Sequence, residues 1–507
     1  MGSNYGKGMY NQLMDVMAKL NALESEHKND QKAIRALNSE TASLRRENAI
    51  LRDKVTRLQV ENASLQDKCD RLQEENRLLH DDNERMKRIL GNDSSNSSTP
   101  PSANPPWKAA NAYNGRKTTA KKAGAQPGHK GSGLSKSDVE RKIKDKTLSH
   151  NVIDIGDREK PYVTRYVLDL KVTATATEFR IHADENGRYE IPGQMRGDVV
   201  YGDNIKAICA YLYSEGVMSI DRIGDFIRSL SGDAFALSAG SIYSFCSSFS
   251  EKCSEVCSTL KEKLLNAHEI CTDATPVTNN GKMNYIRNFS TDDVVLYCCS
   301  EKKSLKALEA LPVLSEFTGV LCHDHETAMY HFGTEHAECN VHLCRYLRKN
   351  TEETGNTWSR DMESFLNGMN AMRQKLKDAG EDHILAEKLA EYTQRFDTII
   401  SRGKEQNKDT RGKIAKKEEK ALLNRLVKYK SQHLLFLQDF HVHYSNNMSE
   451  RDLRICKNRE KMAGGFRTVG GIQMYCNIMS FIGTMKRKKE NVLHSIAALM
   501  NGRLVNI

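Results

Sequence analysis

The sequence predicts a multidomain α+β chain: an N-terminal parallel coiled coil, a small β module, a helical region resembling a helix-turn-helix, and an α/β core interrupted by a helical insertion. Three observations carry this. Leucine recurs every seventh residue between positions 37 and 79, a Pro/Ser/Gly-rich stretch follows, and from about residue 267 the pattern turns to short apolar runs separated by turn residues. At 507 residues the chain is too long for one core, so several domains are expected.

In the first segment, 1–91, Leu37, Leu44, Leu51, Leu58, Leu65, Leu72 and Leu79 occupy one heptad position, continued by Met86. Four asparagines, Asn48, Asn62, Asn76 and Asn83, recur at the position three residues before the leucine. Leucine at every d position with Asn at a describes a parallel dimer, because a buried Asn pairs best with Asn in register. Glu40 can reach Arg45, Glu47 can reach Arg52, and Asp82 can reach Lys87 across such a pair. Residues 92–137 form a basic linker holding five of the nine prolines, a composition that cannot bury enough apolar surface to fold alone. Within 138–198, the run YVTRYVLDLKVTATATEFRIHA alternates as strands do, and Asp184-Glu185-Asn186-Gly187 reads as a turn, so a small β module is expected. Residues 199–266 read as three helices, Asp203 to Tyr213, Ser219 to Leu230 and Ser241 to Phe249, joined by Gly-containing turns. That spacing suits a DNA-binding helix-turn-helix and equally a plain helical connector.

From 267 to 355 the order changes. HEICTDATPV is a short strand, Asn279-Asn280-Gly281-Lys282 a hairpin turn, and MNYIRNF and VVLYCCS two further strands. KSLKALEAL is a helix, FTGVLCHD a buried strand, and HAECNVHLCRYLRK another strand and helix. Three antiparallel strands, a helix and then a parallel strand is the order of a ribonuclease-H-like core. Residues 356–440 are helical and interrupt it; residues 441–507 resume it with basic helices.

Charge narrows the function. The net charge is +10, yet residues 94–137, 401–430 and 441–507 each carry +7 and the remainder −11. Three concentrated basic zones on an otherwise acidic chain point to a polyanion, since phosphate neutralisation drives nucleic-acid affinity. No run of about 20 apolar residues is present, so no spanning helix is expected. The N-terminus lacks the apolar core of a secretory signal, and Gly6 stands where a myristoylation site needs Ser or Thr. Thirteen cysteines at no disulfide or zinc-ribbon spacing fit reduced thiols in a cytoplasm.

Three acids are candidates for phosphodiester chemistry, which uses two divalent ions about 4 Å apart held by hard oxygen ligands. Asp273 is expected to end the first core strand and Asp324 the fourth, and in such a core these strands are neighbours. Glu450 lies one turn into a later helix. Each has another reading: Asp273 as the start of a turn, Asp324 as a helix cap, and Glu450 as the N3 residue of a capping box begun at Asn447. Arg451, Arg454, Lys457 and Lys461 follow Glu450 on one helix, and Arg467 sits in GGFRT; they can meet phosphates, or Glu450 and Arg454 can simply pair at i,i+4.

The residues around these acids resemble the insertion-sequence-66 family of bacterial transposases, a DDE-type group. NDSSNSSTPPS followed by GAQPGHKG is similar to the linker of that family. TDATPV resembles its Asp-Glu-Thr-Pro-Val segment, GVLCHDHETAMY the segment of its second acid, and CNVHLCRYL its Cys-x-x-His-x-x-Arg helix. NNMSERDLR resembles Asn-Asn-x-x-Glu-Arg-x-x-Arg, and SFIGTMKRKKEN the Ser-x-x-x-Thr-x-Lys stretch after it. The matches run in order from about residue 92 to the end. The resemblance implies Asp273, Asp324 and Glu450 as catalytic, metal-binding acids with two Mg²⁺ (or Mn²⁺). It also implies double-stranded DNA as partner, a nucleoid setting, and cleavage of transposon ends with strand transfer into target DNA. DNA contacts are expected from His342, Arg345, Arg451, Arg454, Lys457, Lys461 and Arg467, and from Lys117, Lys121 and Lys122 of the linker. Two departures stand out. Ala274 replaces the family Glu, and residues 70–208 hold no Cys, so the family Cys-x-x-Cys zinc module is missing. Cys339-x-x-His342-x-Cys344 would lie along one helix, so structural zinc is not expected. A zipper-dimerised DNA-binding protein or an inactive transposase relic explains the heptads and charge equally well, but not the three acids.

Overall fold

The computed structural model describes residues 4–90, 133–195 and 197–507. Helix α1 (Asn4–Leu90) is one continuous helix of 87 residues. Its heptad leucines form a stripe in which each is 52–60% exposed. Lys117, Lys121 and Lys122 lie outside the described residues.

After the short helix α2 (Lys136–Lys144), residues 148–192 form neither a helix nor a strand. The expected β module is realised at one bridge, Ala183 to Tyr189, across the turn whose Asp184 carboxylate accepts the Asn186 and Arg188 N–H groups. Val163, Val167 and Leu170 of this run stay exposed. Alternation supplies a face, but a strand also needs a neighbour for its backbone groups, and among the described residues only that one bridge pairs with this segment.

Helices α3 (Asp203–Ser214), α4 (Ile220–Leu230) and α5 (Ala239–Leu265) follow. Ser219 and Ser238 cap the last two with their hydroxyls. The third helix runs 16 residues past its expected end at Phe249. Its apolar period continues through Cys253, Val256, Leu260 and Leu264, all buried.

A five-stranded mixed sheet holds the centre: β1 (Glu269–Asn279), β2 (Lys282–Ser290), β3 (Val295–Ser300), β4 (Val320–His323) and β5 (Glu335–Glu338), with helix α6 (Leu305–Glu309) between β3 and β4. The spatial order is β3-β2-β1-β4-β5. β1, β2 and β3 pair antiparallel, while β4 lies parallel to β1 and β5 parallel to β4. The β1–β2 hairpin turns through Asn280 and Gly281, both at positive φ (46° and 76°), as a two-residue turn of this hand demands. β1 runs six residues beyond Asp273, so this acid lies within the strand rather than at its end.

Helix α7 (Asn340–Thr354) leads into four helices, α8 (Thr357–Asp378), α9 (Ala386–Lys408), α10 (Lys413–Lys428) and α11 (Lys430–Gln438). They close around Trp358, Phe365, Phe396 and Leu426 in a core of their own. The chain then returns through α12 (Asn447–Ala463), α13 (Val469–Arg487) and α14 (Val492–Met500). α12 crosses β1 and β2, and α13 packs on β3 and α5. One apolar core therefore joins α3–α5, the sheet and α12–α14. Among the described residues no helix is long and apolar enough to cross a membrane.

Candidate functional site

The site is built where the parallel pair of strands gives out. Cys271 of β1 pairs with Cys322 of β4, the last matched residues of that ladder. Two residues further along each strand's chain come Asp273 and Asp324, so the register brings them together just past the end of the β1–β4 ladder. Asp324 directly follows β4, whereas β1 continues beside β2, where Asp273 pairs with Asn288. Burial first, and then the Asp324 charge, raise the Asp273 carboxyl from its ordinary value to about 6.

Glu450 enters from α12. The cap of this helix is Asn446, not Asn447, and its side chain makes no capping bond. Asn446 instead donates its amide to the Thr272 carbonyl of β1 (2.8 Å). Glu450 is thereby free of a capping box and faces α7. No ion pair joins it to Arg454 among the described residues. His342 Nδ1 lies 3.1 Å from Asp324 Oδ2 and 3.3 Å from Glu450 Oε1, bridging the two acids. On its other side His342 Nε2 faces Arg345 Nη1 at 2.9 Å, and Arg345 Nη2 stands 3.9 Å from Glu450 Oε2. A guanidinium has only donors, so Nε2 accepts and the proton sits on Nδ1, whose hydrogen-bond partner is the Cys339 sulfur at 3.4 Å.

Asp324, Cys339, His342 and Glu450 each place a donor atom within 4.8 Å of the others. Asp324 Oδ1 and Glu450 Oε1 are buried without a hydrogen-bond partner. Buried carboxylate oxygens without donors are what a hard cation satisfies. The Cys339 sulfur is otherwise engaged, accepting the Asn446 N–H at 3.2 Å, and burial pushes its thiol up. Cys344 points elsewhere, to the Tyr444 hydroxyl, so Cys339, His342 and Cys344 do not converge. A second donor group, Glu269, Cys271 and His443, is closed on itself: the Glu269 carboxylate takes both the backbone and the ring N–H of His443.

Two residues that the sequence did not single out hold the frame. Asn288, fully buried, accepts the Asp273 N–H (3.2 Å) and the Ser449 hydroxyl (2.5 Å) on one oxygen. Its amide donates to the Ser449 carbonyl, to Asp452 Oδ2 and to the Ser290 hydroxyl. It ties the strand of Asp273 to the helix turn just before Glu450. Arg487 completes the group on Asp452 at 2.5 Å. The only signal for Asn288 in the sequence is a polar residue inside an apolar strand, too common to single out.

Arg451, Arg454, Lys457 and Lys461 are exposed along α12, and Arg467 is exposed after it. The Gly-Gly before Arg467 is structural. Gly464 (φ 68°) ends α12, and a Cβ on Gly465 would meet the Thr278 carbonyl at 2.6 Å. The Phe466 N–H is already given to that same carbonyl.

The fold and site describe a mixed-sheet protein with an acidic, cation-compatible centre beside exposed basic side chains. A family model described as the transposase IS66 family matches residues 198–474, more than half of the chain, and the chain belongs to that family. Membership makes this a transposase-family protein, and implies action on DNA and use of a divalent metal. A second model, for a family of unknown function, matches residues 45–135. No curated protein matches the chain.

Proposed function

We propose that this protein is an active DDE-type transposase, in which Asp273, Asp324 and Glu450 would hold two Mg²⁺ or Mn²⁺ ions on a ribonuclease-H-like core. The observation that carries this reading is the placement of Asp273 and Asp324 two residues past the last β1–β4 rung, together with the convergence of Asp324 and Glu450, each with a buried oxygen that lacks a hydrogen-bond partner. When bound, the ions would activate the attacking oxygen and stabilise the leaving one.

The chain's own groups do the rest. His342, its Nδ1 bonded to the Cys339 sulfur and its Nε2 to Arg345, stands between Asp324 and Glu450 and offers a ring nitrogen within 3.1 Å and 3.3 Å of them. Arg451, Arg454, Lys457, Lys461 and Arg467 offer cations to the phosphates flanking the scissile bond. In the first step a water oxygen attacks the phosphorus at the transposon end, and the bond from phosphorus to the 3′ oxygen breaks, leaving a 3′-hydroxyl and a 5′-phosphate. In the second, that 3′-hydroxyl attacks a target phosphodiester; a new bond joins transposon to target and a target 3′-hydroxyl is released. Neither step passes through a covalent enzyme intermediate.

In this reading α1 pairs two protomers as a parallel coiled coil, consistent with its exposed leucine stripe. α3–α5 and the linker lysines Lys117, Lys121 and Lys122 hold the transposon ends, in a cytoplasmic, nucleoid-associated setting. Asp273→Ala and Asp324→Ala are expected to abolish Mg²⁺-dependent cleavage of end-bearing DNA by the full-length protein while leaving its DNA affinity intact. Cleavage retained in both variants rejects the assignment. Absence of cleavage and of strand transfer in the unsubstituted protein favours a DNA-binding relic instead.

A further inference from the structure

The four-helix insertion, α8–α11, holds none of the three acids, yet it reaches the site through a buried charge. Glu338, the last residue of β5, has a fully buried side chain. Its carboxylate meets four groups from the loop after β4 and from the insertion. His325 Nδ1 and the Tyr330 hydroxyl bond one oxygen. Arg425 Nη2 of α10 donates to the other at 2.5 Å, and His433 Nε2 of α11 stands 3.7 Å away. Burial alone would raise the Glu338 carboxyl; these partners together hold it below the ordinary range.

His325 directly follows Asp324, and its backbone is left-handed, with φ 57°. A non-glycine residue keeps that conformation where its surroundings enforce it. Here the enforcement is visible. Glu338 grips the ring from one side, and Tyr429, between α10 and α11, meets it edge-on at 4.9 Å while stacking on Tyr330 at 4.8 Å. The turn that aims Asp324 is therefore clamped between the sheet and the insertion. The clamp depends on Arg425, because a carboxylate this buried needs a cation to remain charged.

We infer that Glu338 and Arg425 are positioning residues through which the helical insertion sets the orientation of Asp324, so that the insertion controls how tightly the site holds its metal. This rests on the reading of Asp324 as a metal ligand. The experiment measures Mn²⁺ binding to the full-length protein by electron paramagnetic resonance, together with the Mn²⁺ dependence of end cleavage.

Arg425→Gln is expected to weaken Mn²⁺ binding by about 10- to 100-fold, as loss of groups that orient a ligand does elsewhere. It should raise the Mn²⁺ needed for half-maximal cleavage more than it lowers the maximal rate at saturating Mn²⁺, with affinity for end-bearing DNA retained. Arg425→Lys, which keeps the charge, should recover most of the loss. His325→Gly removes the grip without unpairing a buried charge, and its backbone takes this φ freely, so it guards against a folding defect in the Arg425 variants; it should weaken Mn²⁺ binding too. Unchanged Mn²⁺ affinity in Arg425→Gln and His325→Gly overturns the inference. Asp324→Ala is the control: if it loses Mn²⁺ while those two variants keep it, the inference alone fails, and if it binds Mn²⁺ like the unsubstituted protein, the metal reading fails with it.

Discussion

Asn288 shows how much of a site can rest on one uncharged side chain. Its carbonyl oxygen and amide both reach the segments that carry Asp273 and Glu450, through the Asp273 N–H and through both polar groups of Ser449. Truncating it would leave the Ser449 hydroxyl, the Asp273 N–H and part of Asp452 buried without their partner. Asn288→Ala is therefore expected to cost about 2–4 kcal/mol of stability, read from urea unfolding, since each abandoned buried group costs about 1–3 kcal/mol. A loss below 1 kcal/mol would show that water replaces the missing amide. Glu450 makes the same point in reverse. Its spacing from Asn447 suits a capping box, but Asn446 occupies the cap and spends its amide on β1, which leaves Glu450 to face Asp324 and His342.

At the level of elements, α1 and the segment 148–192 make a contrast. Both carry a clear apolar period. A helix satisfies its backbone internally, so α1 forms over 87 residues with its leucines half exposed. A strand does not, and the alternation in 148–192 yields one bridge. In the proposed zipper the asparagines at a weaken pairing and enforce register. Replacing Asn48, Asn62 and Asn76 by Ile should raise the melting temperature of the zipper and broaden its assembly beyond the dimer, seen by sedimentation equilibrium. An unchanged melting temperature would mean that these positions do not face a partner helix.

For the whole molecule, the buried charges tying the insertion to the sheet predict sensitivity to acid. Burial lowers His433 from 6.5 to about 3, so as pH falls through that interval the unfolded chain takes up a proton that the folded one refuses. Glu338, held below 4.5 in the folded state, acts in the same direction at lower pH. Both contributions are present at neutral pH and are lost on acidification. Melting temperature should fall steadily from pH 7 to pH 4, and His433→Gln should flatten that slope above pH 4.5. A slope unchanged in the variant would place the acid sensitivity elsewhere.

The sequence by itself determined the local features: the long helix, the Asn-Gly hairpin and the run of short strands that carries Asp273 and Asp324. These follow from periodicity, turn chemistry and short-range register, which neighbouring residues specify. Family motifs added Glu450, 126 residues beyond Asp324, where spacing alone left it balanced against a cap. Tertiary structure decided what depends on distant partners. It extended β1 past Asp273, carried α5 on to Leu265 and merged the helices before the sheet with its core. It also set His342 between two acids and brought Arg425 to Glu338 across 87 residues of chain. A buried polar contact of that kind has no period along the sequence, because it exists only once two separate elements have been packed together.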